Sequence, residues 1–430
     1  MFKKIEKIFK MDVEDCMTEA SKLRGQWEKP EFMNFKAIIS WNLFVLYKFG
    51  YMLRPFRNCM DFVWYLPKLG YICGVLVLQF TLEFMNFFYL ENSVTDIVGA
   101  FFMTLVTGVQ IIKLIFLYIN MRGIEDLLQS INRPEFQPKS DYQTKILWSY
   151  ILRSRIMLAA FWLAGVFTVA TWIIFPLLEE EPKLPIEIWF PFDLKNTTNF
   201  YIAYAFVMFA TFTNGIINMC IDTLLSASMM IGAAQFEILN DSLENIRYFS
   251  EEELKSSGKS INCRDKDEIF PELQEIMDQK FKECIEHHRI IIAFLDEYQN
   301  MFTYCLLVQF VSSVNIICVG LFELAQTELG SVQFFSRVGY QFCFLYEIFL
   351  MCYYGNEVTI QSNKLVYSAY HSHWIHSSRL FRKHLIYFMT RTQVTVSILA
   401  GRLFTLNLGS FVGIVKLAWS SFAVLRSINN

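Results

Sequence analysis

TDIVGAFFMTLVTGVQIIKLIFLYI, residues Thr95–Ile119, carries one acid, Asp96, and one base, Lys113, in a run that is otherwise apolar or weakly polar. As an α-helix rising 1.5 Å per residue it measures roughly 37 Å, enough to cross a hydrocarbon core of about 30 Å with every backbone group bonded inside the segment. Lys113 stands near one end, where its long stem is expected to snorkel to the interface. The stretch reads as a membrane-spanning helix.

Working outward, six further runs of this kind lie at Val63–Phe88, Leu147–Phe175, Phe200–Ile221, Met301–Phe322, Phe334–Tyr354 and Leu403–Leu425. Ala37–Leu53 is also apolar but short and holds Lys48, which predicts an interfacial or re-entrant helix. Hydrophobic residues make up 54% of the 430 and charged residues 18%, against about a quarter charged in soluble domains. The fold class is therefore all-α integral membrane with seven transmembrane helices. A net charge of −3 excludes the concentrated basic surface that nucleic-acid binding needs.

Lysine and arginine set the orientation. They accumulate before the first span (Lys3, Lys4, Lys7, Lys10, Arg54, Arg57) and in the loops at 120–146, 233–300 and 355–400, whereas the loops at 89–94 and 323–331 hold none and Pro176–Asn199 is acidic. The N-terminus is expected inside, starting as a basic amphipathic turn over Met1–Asp12, and the C-terminus outside. This gives a cytosolic segment at 1–62, helices one to four at 63–232, a cytosolic loop and anchor helix at 233–300, helices five and six at 301–354, a cytosolic anchor region at 355–402 and the last helix at 403–430. The sequon at Asn196 falls in the longest outside loop and is the expected glycosylation site, while that at Asn240 lies inside and is expected to stay bare. The topology is opposite to that of a G-protein-coupled receptor.

Signs of catalysis are missing: no glycine-rich phosphate loop, nucleophile elbow or paired-carboxylate signature occurs. The ten scattered cysteines form no CxxC pair, so no disulfide framework is expected. His287–His288 and His371, His373 and His376 read as polar residues on solvated helices rather than metal ligands, and neither metal nor cofactor is expected. Asp222, about 36 Å along its helix from Thr198, is placed at the inner interface. On the last helix Gly413, Leu417, Ser420, Val424 and Ser427 share a small or polar face, which suits helix packing as well as pore lining.

The last third carries more specific residues. Cys352-Tyr353-Tyr354-Gly355-Asn356-Glu357 is followed by Ser362, Tyr370, Trp374, Arg382-Lys383, Leu385 and Met389-Thr390-Arg391-Thr392-Gln393, then by Ala400-Gly401, Phe404, Leu408, Phe411, Lys416, Ser420, Phe422 and Leu425. This pattern resembles the insect odorant receptor family. Upstream, Leu184-Pro185, Trp189-Phe190-Pro191-Phe192-Asp193 and Cys284-Ile285-Glu286-His287-His288 resemble it too. Val394-Thr395 depart from it, standing where the family commonly places a proline.

The resemblance implies a subunit of a tetrameric, ligand-gated, non-selective cation channel in the plasma membrane of olfactory sensory neurons. It implies an odorant-tuned subunit partnered by the odorant coreceptor, since this chain lacks the coreceptor's longer inside loop and its Gln-Leu-Lys ending. The rivals are a gustatory receptor, disfavoured by Ser420-Ser421-Phe422-Ala423-Val424-Leu425, and a transporter, disfavoured by the want of internal repeats. By resemblance the pore and gate fall to Ser420, Val424 and Ser427, with Val424 as the apolar constriction. Subunit contacts fall to His287, Tyr370, Trp374 and Leu385. The ligand site falls in the outer halves of the second, third, fourth and sixth helices, where Phe101, Phe102, Thr168, Trp172, Tyr204, Met208, Tyr340 and Phe344 lie. With no carboxylate expected at that depth, the ligand is predicted to be a small neutral hydrophobic volatile.

Overall fold

A computed structural model describes residues 36–49, 70, 72–89, 94–178, 184, 186, 188–257, 271–328 and 330–429. The helices are α1 (Lys36–Phe49), α2 (Leu78–Asn86), α3 (Val94–Ile119), α4 (Met121–Ser130), α5 (Asp141–Leu178), α6 (Thr197–Glu244), α7 (Ile246–Ser256), α8 (Pro271–Ala325), α9 (Val332–Tyr370), α10 (Arg379–Thr392) and α11 (Leu408–Asn429). A π-helical turn, Cys73–Val77, leads into α2, and a two-stranded hairpin of β1 (Leu399–Ala400) and β2 (Phe404–Thr405) precedes α11.

Helix starts follow local chemistry. Asn196 Oδ1 accepts from Thr198 N at 3.0 Å to open α6, Ser331 Oγ from Phe334 N at 3.1 Å to open α9, and Ser378 Oγ from Phe381 N at 3.0 Å to open α10. Each side chain satisfies a first-turn N–H that has no partner inside its helix.

Length separates two regions. α6 has 48 residues and α8 has 55, roughly 72 and 82 Å of helix, far beyond a core of about 30 Å. The surplus of α6, α8 and α9 packs with α7 and α10 as an extramembrane bundle. There Phe281 of α8 meets Phe381 and Phe388 of α10 with ring centroids 5.0 and 5.7 Å apart. Its partners fix the directions: Tyr298 donates to Leu225 O and His287 meets Gln235, so α8 runs antiparallel to α6, while Asn240 donates to Gln361 O and Ser368 donates to Glu244 Oε1, so α9 runs parallel to it.

α6 is the central element. From Cys220 to Gln235 every side chain is buried, against α9, α5, α1 and α8 on successive faces. Ser226, Ala227, Gly232, Ala233 and Ala234 let the neighbours close in; a Cβ on Gly232 would lie 2.6 Å from Leu295 Cδ2.

Five described helices are long and apolar enough to cross a membrane, namely the spans within α3, α5, α6, α8 and α11. The predicted first span lies partly outside the described residues. The predicted sixth lies in α9, whose apolar run is diluted by Arg337, Gln341 and Glu347, each bonded within the protein: Arg337 to Glu323 O at 2.7 Å, Gln341 to Ile317 O at 3.4 Å and Glu347 to Lys113 at 2.8 Å. The segment read as interfacial or re-entrant forms α1 up to Phe49; it docks on α6 and α5 through buried Ile38, Ile39, Val45 and Leu46.

The last helix begins at Leu408, five residues later than predicted. Gly401 (φ +61°) and Arg402 (φ +58°) turn the hairpin, and Ser410 N donates to Asn407 Oδ1 at 2.8 Å as the helix starts. Gln299 of α8 grips β1 through both amide atoms, donating to Leu399 O at 2.6 Å and accepting from Leu399 N at 2.7 Å. So pinned, α11 lies on α8 and α9 with Ile414, Ala418 and Phe422 turned inward, one turn apart.

Candidate ligand cavity

Between α2, α3, α5, α6 and α9 lies a cavity of about 210 Å³. It is smaller than the ~300–1,000 Å³ of drug-sized sites, which suits a volatile of few heavy atoms. Phe102, Tyr340 and Phe344 form one wall, their ring centroids 5.3 to 6.1 Å apart. Tyr340 is held from outside the cavity, its hydroxyl donating to Glu323 Oε2 of α8 at 2.7 Å. Phe161, Val166, Val169 and Phe212 continue the apolar lining, and Thr168, whose hydroxyl bonds Ala164 O and meets Cys343 Sγ at 3.7 Å, adds a polar spot already satisfied.

Four of the eight residues named from the sequence thus come together here: Phe102, Thr168, Tyr340 and Phe344. Phe101 points the other way from α3 and is 47% exposed. Tyr204 and Met208 are buried on α6 but do not line the cavity, because α6 contributes residues from Thr211 to Met219, about one to four turns deeper. Trp172 lies on α5, and its side chain falls outside the described residues.

The floor overturns two expectations. Lys113 does not snorkel; its side chain is 1% exposed, and Nζ donates to Asp222 Oδ1 at 2.7 Å, Glu347 Oε1 at 2.8 Å and Asn218 Oδ1 at 3.0 Å. Asp222, as the partner of Lys113, is buried between the helices. Gln309 Nε2 of α8 reaches the same Glu347 oxygen at 2.6 Å, so one ionic knot ties α3, α6, α8 and α9. The expectation of no carboxylate at ligand depth also fails: Glu83 and Glu347 both line the cavity and are buried. A signal was present. Asn214, Asn218 and Asp222 recur every fourth residue of α6, as do Gln79 and Glu83 on α2, polar stripes that lipid would not tolerate.

Outside the cavity, Ser420, Val424 and Ser427 are all exposed on α11, on the face away from α8, with Val424 at 60%. The four residues assigned to subunit contacts divide. Tyr370 is exposed, and Trp374, half-buried beside it, donates from Nε1 to Tyr370 O at 3.0 Å. His287 and Leu385 are interior to one chain: His287 packs on Phe136 and meets Gln235 Oε1 at 2.8 Å, and Leu385 joins the core. The reading of His287–His288 as solvated is corrected too, since burial pushes their imidazoles down to about 3 and about 4. Asn196 is exposed, and Asn240 is buried with its amide bonded to Gln361 O.

The chain is 27% identical over 361 residues to odorant receptor Or1 of Anopheles gambiae, covering 79% of this chain and 83% of that one. It is 25% identical over 348 residues to isoform A of odorant receptor 46a of Drosophila melanogaster, covering 79% and 84%. In fold it is similar to the insect olfactory receptor OR5 of Machilis hrabei, with a TM-score of 0.74 at 17% identity over 90% of this chain and 97% of that one, and to the same receptor in complex with eugenol, with a TM-score of 0.73 at 18% identity over 91% and 97%. The family model described as 7tm Odorant receptor matches residues 93–419, most of the chain, and the protein belongs to that family.

Proposed function

We propose that this odorant receptor is the odorant-binding subunit of a ligand-gated cation channel, assembled with the odorant coreceptor as a tetramer in the plasma membrane of olfactory neurons. It is a receptor and not an enzyme. The observation that carries the reading is the cavity walled by Phe102, Tyr340 and Phe344, of a size for a small volatile. Burying such a ligand gains roughly 25 cal/mol per Å² of apolar surface. The receptor in the eugenol complex shares this fold, which supports a small volatile as the ligand class.

Gating belongs to α11. Its outward face in the single chain, with Ser420, Val424 and Ser427, is the surface four copies would turn to a common axis, where a ring of Val424 side chains closes by excluding water. Tyr370 and Trp374, on the surface of the extramembrane bundle, supply subunit contacts. The N-terminus and this bundle lie in the cytosol; among the described residues, Lys280, Arg382 and Lys383 of the predicted inside loops fall on the bundle's helices α8 and α10. Asn196, exposed at the opposite end of α6, is the glycosylated asparagine.

The test is co-expression of the full chain with the coreceptor and a panel of neutral volatiles under patch recording. Ligand-evoked cation current that needs both chains is expected; surface-expressed chains silent to the whole panel overturn the reading.

A further inference from the structure

Four polar atoms of residues in the cavity wall are buried without a hydrogen-bond partner: Glu83 Oε2, Asn214 Oδ1, Thr211 Oγ1 and Trp162 Nε1. Glu83 is 2% and Asn214 5% exposed, so water at the protein surface does not reach them. Buried polar atoms are nearly always paired, and an orphan lining a cavity asks for a partner inside it.

Their orientation is fixed from behind. Gln79 Nε2 donates to Glu83 Oε1 at 2.8 Å, and Asn214 Nδ2 donates to Gln79 Oε1 at 2.7 Å. Both amide groups are thereby committed, which leaves an oxygen of Glu83 and an oxygen of Asn214 as neighbouring acceptors. Thr107 stands beside the same carboxylate without closing a hydrogen bond of ordinary geometry on Oε2. Trp162, elsewhere in the lining, holds an unpartnered indole N–H, which only donates. Glu347 differs from Glu83 in that Lys113 answers its charge.

We propose that this end of the cavity seats the hydroxyl of an alcohol or phenol, making Glu83 and Asn214 specificity-determining residues. A hydroxyl donates to Glu83 or Asn214, while Phe102, Phe161, Phe212 and Phe344 hold the apolar body. An ether of the same shape accepts only, and an ammonium donates only. The inference rests on the reading of the cavity as the ligand site of an odorant-gated channel.

Three matched probes test it: 2-phenylethanol, its methyl ether and 2-phenylethylamine. Each is applied to cells carrying the full chain with the coreceptor, and each is added to the purified chain for melting-temperature shifts, which read binding without current. The alcohol is expected to act at about tenfold lower concentration than the ether. Asn214→Leu and Glu83→Met are each expected to bring that ratio below about threefold while leaving the ether's half-maximal concentration within about threefold; the ligand-free melting temperature reports whether each variant folds. Equal potency of alcohol and ether in the wild type, a ratio that survives both substitutions, or no melting shift with any probe overturns the proposal. So does an amine that outperforms the alcohol and loses its advantage in Glu83→Gln, which would mean recognition of charge. Melting shifts favouring the alcohol without any current keep the site and sink the channel reading; currents blind to the hydroxyl do the reverse.

Discussion

Phe102 and Tyr340 meet over the cavity with ring centroids 5.3 Å apart, although one sits on α3 and the other on α9. Their neighbour Phe101, one residue away in sequence, faces outward. Phe102→Ala is therefore expected to raise the half-activating odorant concentration at least about tenfold, through lost apolar contact. Phe101→Ala is expected to leave the dose–response curve in place. Equal shifts in the two variants would contradict the assignment of the α3 faces.

Removing Lys113 leaves two buried carboxylates without a counter-charge. Lys113→Met is expected to destabilise the protein by on the order of 3–5 kcal/mol, read as a lower melting temperature in detergent and reduced surface expression. Adding Asp222→Asn and Glu347→Gln is expected to recover most of the loss. If the single variant melted like the wild type, the ionic knot would carry no stability.

Val424 is expected to be the narrowest apolar point of the assembled pore. Val424→Ala shortens the side chain and is expected to raise the current recorded without odorant. Phe422, buried against the bundle on the opposite face, serves as the contrast: Phe422→Ala is expected to lower expression through a core cavity rather than to open the pore. Silent, wild-type-like recordings from Val424→Ala would move the gate elsewhere.

Burial of His287 and His288 makes a pH prediction with a definite sign. Their folded values, about 3 and about 4, lie below the ordinary 6.5, so as pH falls below 6.5 the unfolded chain takes up protons that the folded chain refuses. Stability is full above that pH and declines through the window from 6.5 towards 4. Melting temperatures across this range, compared with a His287→Gln, His288→Gln double variant, should show the slope in the wild type and a flatter line in the variant.

Hydropathy made most of the spans legible because a membrane crossing leaves a long one-dimensional trace, and Thr95–Ile119 alone predicts α3 almost to its ends. The cavity was half legible. Aromatic residues at a chosen depth included Phe102, Tyr340 and Phe344, but depth along a helix fixes neither rotation, which turned Phe101 outward, nor the vertical offset between helices, which set the α6 wall below Tyr204 and Met208. The pairing of Lys113 with Asp222 and Glu347 was not legible because the energy of each depends on the others, and a window of twenty residues never contains two of them.

That separation also governs how the protein is made. Asp222 follows Lys113 by 109 residues and Glu347 follows it by 234. At about 5–20 residues per second of synthesis, the last partner emerges roughly 12–47 s after the lysine. Until Asp222 emerges, roughly 5–22 s after the lysine, α3 holds an unanswered cation, whose insertion costs up to about 2.5–3.5 kcal/mol. A chain truncated before α6 leaves that early span without either carboxylate partner, and one truncated before α9 leaves it with Asp222 alone.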